Sequence, residues 1–178
     1  MATYQYPYHQ PALTPSRLIG IINAIIWQRK KAMIDIIPDI VLVEDNPADR
    51  ELMLEALHEN NLANRVKVLR DGEEAVNYFF RHEESGPCEI CEPPSLILLD
   101  LNLPKISGLE ILQKIRADER TKAIPVVVFT SSPREKDRID SYQLGVNSYV
   151  EKPFKYNDFM KAVSQLGRYW AVLNKPPY

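Results

Sequence analysis

The 178-residue chain predicts an α/β fold: a doubly wound parallel sheet of five strands alternating with five helices, preceded by an N-terminal helical extension. Three observations carry that expectation. Short aliphatic runs recur without polar alternation (Ile40 to Val43, Leu96 to Leu99, Val126 to Phe129), as in strands covered on both faces. Apolar residues at helical spacing separate them. Each run also ends in polar or turn-forming residues, where open α/β sheets place their ligand sites.

Taken in order, residues 1–14 (MATYQYPYHQPALT) carry aromatic residues and prolines without a period and are expected to be disordered. Thr14-Pro15 offers a helix start, followed by the apolar run Leu18 to Trp27 and the charges Arg29, Lys30 and Lys31. That run is far short of the roughly 20 residues that span a bilayer. It is also a poor signal peptide, since the charge follows it and no small-residue cleavage site does. Three readings stay open: an interfacial or dimer-forming helix, a helix packed on the domain or on its copy, or a natural start at Met33. Residues 1–37 are therefore set apart as an extension, 38–174 as the main domain and 175–178 as a tail.

From Asp35 the pattern is regular. The strand Ile40 to Val43 runs into Glu44-Asp45-Asn46-Pro47, and proline suits an early helical position. Leu52, Met53, Ala56 and Leu57 make the first helical stripe, closed by Asn60-Asn61. Val66, Val68 and Leu69 form a second strand, and Asp71-Gly72 turns into a helix bearing Ala75, Val76, Phe79 and Phe80. A polar connection, His82 to Pro94, is longer than the usual ~2–6 residues. After the third strand, Leu109, Ile111, Leu112 and Ile115 mark a helix. The fourth strand ends in Thr130-Ser131-Ser132-Pro133, and the charged helix Arg134 to Leu144 is closed by Gly145. Ser148 to Glu151 is a short fifth strand before Lys152-Pro153. The final helix presents Phe159, Ala162, Val163, Leu166, Trp170 and Leu173 on one face. Right-handed crossovers then favour the flavodoxin-like order 2-1-3-4-5.

Composition bounds the function. Hydrophobic residues make up 45% and charged residues 26%, an ordinary globular balance. The net charge of -2 gives no bulk attraction to nucleic acid or to an anionic membrane. The only two cysteines, Cys88 and Cys91, are too few for a disulfide framework, so a reducing, cytoplasmic setting is expected. With His82 nearby they invite a zinc reading, but a structural zinc site needs four ligands.

The chemistry gathers at four strand ends. In the order 2-1-3-4-5 the first, third, fourth and fifth strands are neighbours. Their carboxyl ends bring Glu44 with Asp45, Asp100, Thr130 with Ser131, and Lys152 into one pocket. Singly, each has a bland reading: Asp100 as a helix cap, Glu44-Asp45 as acids favouring a helix N-terminus, Thr130 as a cap. Together, three carboxylates this close repel one another unless a cation sits among them, and hard oxygen ligands suit Mg²⁺.

The motifs LVEDNPADR, LLDLNLPKISG, VVVFTSS and SYVEKPF, in that order, resemble the receiver domain of two-component response regulators from about Pro38 to Asn174. The resemblance implies that Asp100 accepts a phosphoryl group from a histidine kinase. It implies that Glu44, Asp45, Asp100 and the backbone carbonyl of Asn102 hold Mg²⁺, and that Thr130 and Lys152 contact the phosphoryl oxygens. Tyr149 would be the switch aromatic, turning inward with Thr130, and Lys152-Pro153 would be a cis peptide. LVEDNPAD, the long connection and the aromatic pair Tyr169-Trp170 further resemble the phytochrome-associated response regulators of cyanobacteria, which implies a phytochrome-type kinase and a homodimer. Neither residues 1–39 nor the Cys88–Cys91 loop is explained by it. Only Lys175 to Tyr178 follow the last helix, so the signal is expected to leave by protein contact, through the fourth helix, fifth strand and fifth helix. No turnover is expected beyond loss of the protein's own phosphoryl group. Two other readings remain: a receiver-like scaffold that is never phosphorylated, and an Asp-nucleophile phosphatase. The haloacid-dehalogenase-like phosphatases want a second Asp two residues on, where this chain has Asn102.

Overall fold

The computed structural model describes residues 39–62, 66–80 and 93–177. The expectations for residues 1–37, including the apolar helix from Leu18, and for Cys88, Cys91 and His82 fall outside them. The parallel strands β1 (Ile40–Val43), β2 (Val66–Leu69), β3 (Leu96–Leu99), β4 (Val126–Thr130) and β5 (Ser148–Glu151) form a single sheet in the order β2-β1-β3-β4-β5. Helices α1 (Pro47–Glu59), α2 (Gly72–Phe80), α3 (Gly108–Ala117), α4 (Glu135–Gln143) and α5 (Tyr156–Arg168) alternate with them. Among the described residues, no helix is long and apolar enough to cross a membrane.

Period-two alternation divides the buried strands between two cores. Val41, Val43, Ile97, Leu99, Val126 and Val128 pack with α2 and α3 through Ala75, Phe79, Ile111, Leu112 and Ile115. Ile40, Leu42, Leu96, Leu98, Val127 and Phe129 pack with α1 and α5 through Met53, Ala56, Leu57, Phe159, Met160 and Val163. Full burial of each such aliphatic or aromatic side chain contributes about 1.5–3 kcal/mol, which is why β1, β3 and β4 read as unbroken apolar runs. Helix α4 is the exception, for its buried residues are the polar Asp137 and Ser141.

Register levels the strand ends. Val43 lies opposite both Leu69 and Leu99, and Leu99 lies opposite Val128. Glu44 and Asp100 therefore leave the sheet side by side, with Thr130 one residue farther along β4. The ladder reaches into these residues: Glu44 N donates to Leu69 O (3.0 Å), Asp100 N to Val43 O (3.0 Å) and Lys152 N to Thr130 O (2.8 Å).

Two local expectations need correction. The final helix does not carry one face through to Leu173. After Arg168 it widens into a π-helical turn, Tyr169–Leu173, in which Asn174 N donates to Tyr169 O (2.7 Å). The wider turn rotates later residues off a 3.6-residue stripe, so Trp170 still packs on the α1/α5 core while Leu173 is 69% exposed. The Lys152–Pro153 peptide, expected to be cis, is trans. The backbone amide of Lys152 continues the ladder to β4, and from there the lysine side chain reaches the pocket.

Candidate functional site

Each strand end is followed by a device that holds its polar residue. After β1, Asn46 caps α1, its side-chain oxygen accepting from Ala48 N (2.9 Å) and Asp49 N (3.3 Å), with Pro47 preset for the first turn. Arg50 donates back to the carbonyls of Glu44 (3.2 Å) and Asp45 (2.8 Å), so the acidic turn cannot swing away. After β3, the chain returns so closely that a Cβ on Gly108 would collide with the carbonyl oxygen of Asp100. Ser107 and Glu110 then close a capping box on α3.

One carboxylate oxygen from each of Glu44, Asp45 and Asp100 lies within 4.8 Å of the other two. Glu44 is 1% and Asp100 4% exposed, while Asp45 faces solvent. Asp100 Oδ1 accepts from the Thr130 hydroxyl (2.7 Å) and from Asn102 N (3.1 Å), and Oδ2 accepts from Lys152 Nζ (2.7 Å). Lys152 Nζ also donates to Glu44 Oε2 (2.8 Å) and Asp49 Oδ2 (2.8 Å). Burial pushes the Glu44 carboxyl up to about 7, against the opposing pull of Lys152. Burial alone would lower Lys152, but the charges of Asp100 and Glu44 outweigh it and hold the ammonium above the ordinary lysine range. Three carboxylates thus share one ammonium, with Asp45 a fourth beside them. A cluster of hard oxygen donors with excess negative charge, two of them nearly dry, fits a small divalent cation.

The β4–α4 loop forms the other wall. Ser132 N donates to Thr130 Oγ1 (3.3 Å), and Ser132 O accepts from the Tyr149 hydroxyl (3.0 Å). The Ser132 hydroxyl donates to Asp137 (2.5 Å), which also accepts from Arg134 Nε (2.9 Å). Tyr149 is half-buried against the α2/α3 core, and burial, then the charges of Asp137 and Glu151, raises its hydroxyl above the usual tyrosine range. An unbroken chain of bonds therefore joins Asp100 to Tyr149 through Thr130 and Ser132.

The structure brings together Glu44, Asp45, Asp100, Thr130 and Lys152, with Asn102 at the rim and Tyr149 behind the loop. It does not bring in Ser131, which is exposed; the buried serine is Ser132. Sequence reasoning also passed over Asp49 and Asp137. Asp49 had a signal in its place, since it stands in the first turn of the helix that directly follows the acidic pair Glu44-Asp45. Asp137 had none, being one charge among many in α4.

Residues 40–164, whose strand ends set two acidic residues, a hydroxyl and an ammonium around Asp100, match the response regulator receiver domain. The chain belongs to that family, whose members are signalling proteins rather than turnover enzymes and bind Mg²⁺ or Mn²⁺ at an acidic site. It is 41% identical over 131 residues to the response regulator Rcp1 of Synechocystis sp., covering 74% of this chain and 87% of that one. The Mn²⁺-bound form of Rcp1 superposes with a TM-score of 0.69 at 40% identity, covering 78% of this chain and 98% of that one. The phosphorylated cyanobacterial phytochrome response regulator RcpA superposes with a TM-score of 0.70, again at 40% identity, over 78% and 97%. The probable methanogenesis regulatory protein FilR2 of Methanothrix harundinacea is 40% identical over 138 residues, 78% of this chain and 86% of its own.

Proposed function

We propose that this protein is a phosphorylation-dependent signalling receiver in which Asp100 takes a phosphoryl group from the histidine of a sensor kinase. The observation that carries this reading is the environment of Asp100: nearly dry, bonded on one oxygen by Thr130 and on the other by Lys152, beside Glu44 and Asp45. A carboxylate oxygen forms the new O–P bond while the P–N bond of the phosphohistidine breaks, the electron pair returning to the imidazole. Little covalent work is required of the protein, and positioning and charge neutralisation dominate. Glu44, Asp45, Asp100 and the Asn102 carbonyl would hold Mg²⁺, which neutralises charge on the transferring group. Lys152 pairs with the phosphoryl oxygens and Thr130 donates a hydrogen bond to them. A group carrying about -1.5 to -2 charge thereby recruits both residues. Because Thr130 is linked through Ser132 to Tyr149, that recruitment biases the β4–α4 loop and the β5 edge, where a downstream protein reads the state.

The receiver occupies residues 38–174 in this reading, with 1–37 an extension and 175–178 a tail. Likeness to Rcp1 and RcpA supports a phytochrome-type kinase as the phosphodonor and a homodimer as the working form. The test is labelling with radioactive acetyl phosphate in the presence of Mg²⁺. The unsubstituted protein takes up label in a hydroxylamine-sensitive bond and Asp100→Asn takes up none; equal labelling of the variant overturns the assignment. Phosphotransfer from candidate kinases, with mass in solution measured before and after, identifies the donor and tests the dimer.

A further inference from the structure

Lys152 spends all three ammonium protons on carboxylates: Glu44 at 2.8 Å, Asp49 at 2.8 Å and Asp100 at 2.7 Å. The three partners are not equivalent. Glu44 and Asp100 belong, with Asp45, to the cluster whose oxygens converge within 4.8 Å, and Asp49 does not. The lysine therefore draws on two of the carboxylates that the reading above assigns to a divalent cation. When Glu44 and Asp100 turn their charge to that cation, the hold of both on the ammonium weakens. The lysine cannot turn to water instead, because its side chain is only 6% exposed.

We propose that Asp49 is a positioning residue that keeps Lys152 in the pocket by offering a carboxylate outside the cluster, so that Glu44 and Asp100 can be released to an incoming cation. This inference rests on the metal-binding reading of the site. Asp49 is suited to the role by its placement. It lies in the first turn of α1, its backbone amide donates to the capping Asn46, and its side chain is 26% exposed at the rim. A carboxylate held there anchors the ammonium from the solvent side and leaves the inner oxygens free. Without it, a cation and an ammonium would face the same two inner carboxylates, and each would weaken the hold of the other.

A double-mutant cycle on the full chain tests this, with Mn²⁺ alone as the probe and unbound Mn²⁺ followed by electron paramagnetic resonance. Asp49→Asn weakens Mn²⁺ binding about fivefold while Lys152 is present. In the Lys152→Met background the same substitution changes binding little. Equal weakening in both backgrounds would show that Asp49 acts directly on the cation and would overturn the proposal, as would no weakening in either. A second measurement does not depend on Lys152→Met folding: the ¹H–¹⁵N signal of the Lys152 ammonium. Under saturating Mg²⁺ it persists in the unsubstituted protein and in Asp49→Glu and is lost in Asp49→Asn. Persistence in Asp49→Asn overturns the proposal. If the unsubstituted protein binds no Mn²⁺, the metal-site reading itself falls. That result differs from one in which Mn²⁺ binds and Asp49 is indifferent.

Discussion

Glu44 has the least comfortable position of any carboxyl group in the pocket. Its burial is nearly complete, and the benefit of Lys152 is shared with Asp100 and Asp49. Its folded value of about 7 stands above its ordinary 4.5, so the folded state holds this proton more tightly than the unfolded chain does. The associated stabilisation is fully present below pH 4.5 and is lost as pH rises through about 7. The gap corresponds to at most about 3 kcal/mol. Asp71 and Glu110 have the opposite sign. The amide of Glu74 and then Lys105 lower Asp71, and the Ser107 hydroxyl and then its amide lower Glu110. Their stabilisation is present above their unfolded values and is lost only in more acidic solution. Of these three groups, Glu44 is the one whose stabilisation fades in the interval up to neutrality. Denaturant unfolding with chelator, at about pH 5 and about pH 8, should show stability falling between the two in the unsubstituted protein and falling much less in Glu44→Gln. An equal fall in both would remove Glu44 as the cause.

At the scale of elements, the second half of the sheet is held by a residue with no part in the site. Arg116, in the last turn of α3, donates to the carbonyls of Gly145 (2.9 Å), Lys122 (3.1 Å) and Ile124 (2.9 Å) and to Asn147 Oδ1 (2.9 Å). The same Asn147 oxygen accepts from Val126 N at the start of β4 (2.8 Å). One guanidinium thus ties α3, the connection to β4 and the turn before β5, a turn that needs Gly145 at φ 85°. Burial lowers its pKa below the free-arginine range, as expected for a cation withdrawn from water. Arg116→Ala should cost about 2–3 kcal/mol in denaturant unfolding, because charge-assisted bonds to carbonyls are lost together. Arg116→Lys should recover little, since an ammonium cannot reproduce the planar fork. Uptake of label at Asp100 should be unchanged in either folded variant; a loss there would mean that the staple also shapes the pocket.

Over the whole molecule, what the sequence revealed follows from which forces are local. Strands β1, β3 and β4 are covered on both faces, so they appear as aliphatic runs. Their order follows from short right-handed crossovers. Because every site residue then sits at a strand end, the order alone gathers Glu44, Asp45, Asp100, Thr130 and Lys152. What stayed hidden depends on where side chains reach after the chain has folded. The first turn of α1 does not disclose that Asp49 meets a lysine 103 residues away. Two adjacent serines after Thr130 do not disclose which one turns inward, and nothing separates Arg116 from Lys114 two residues before it. The π turn after Arg168 is equally silent, since its residues still have helical composition.

The ladder that continues past the strands has a consequence in time. The amides of Glu44, Asp100 and Lys152 are bonded to neighbouring strands, whereas those of Asn102 and Ser132 are bonded only to the side-chain oxygens of Asp100 and Thr130. Amide hydrogen exchange should therefore divide the pocket. The first three should exchange only with global unfolding, and the last two by local opening. A phosphodonor should alter the exchange of Asn102 and Ser132 and leave the other three unchanged; a change in all five would contradict the division. The pocket is then a slow floor beneath a fast rim, and a phosphoryl group has only the rim to reset.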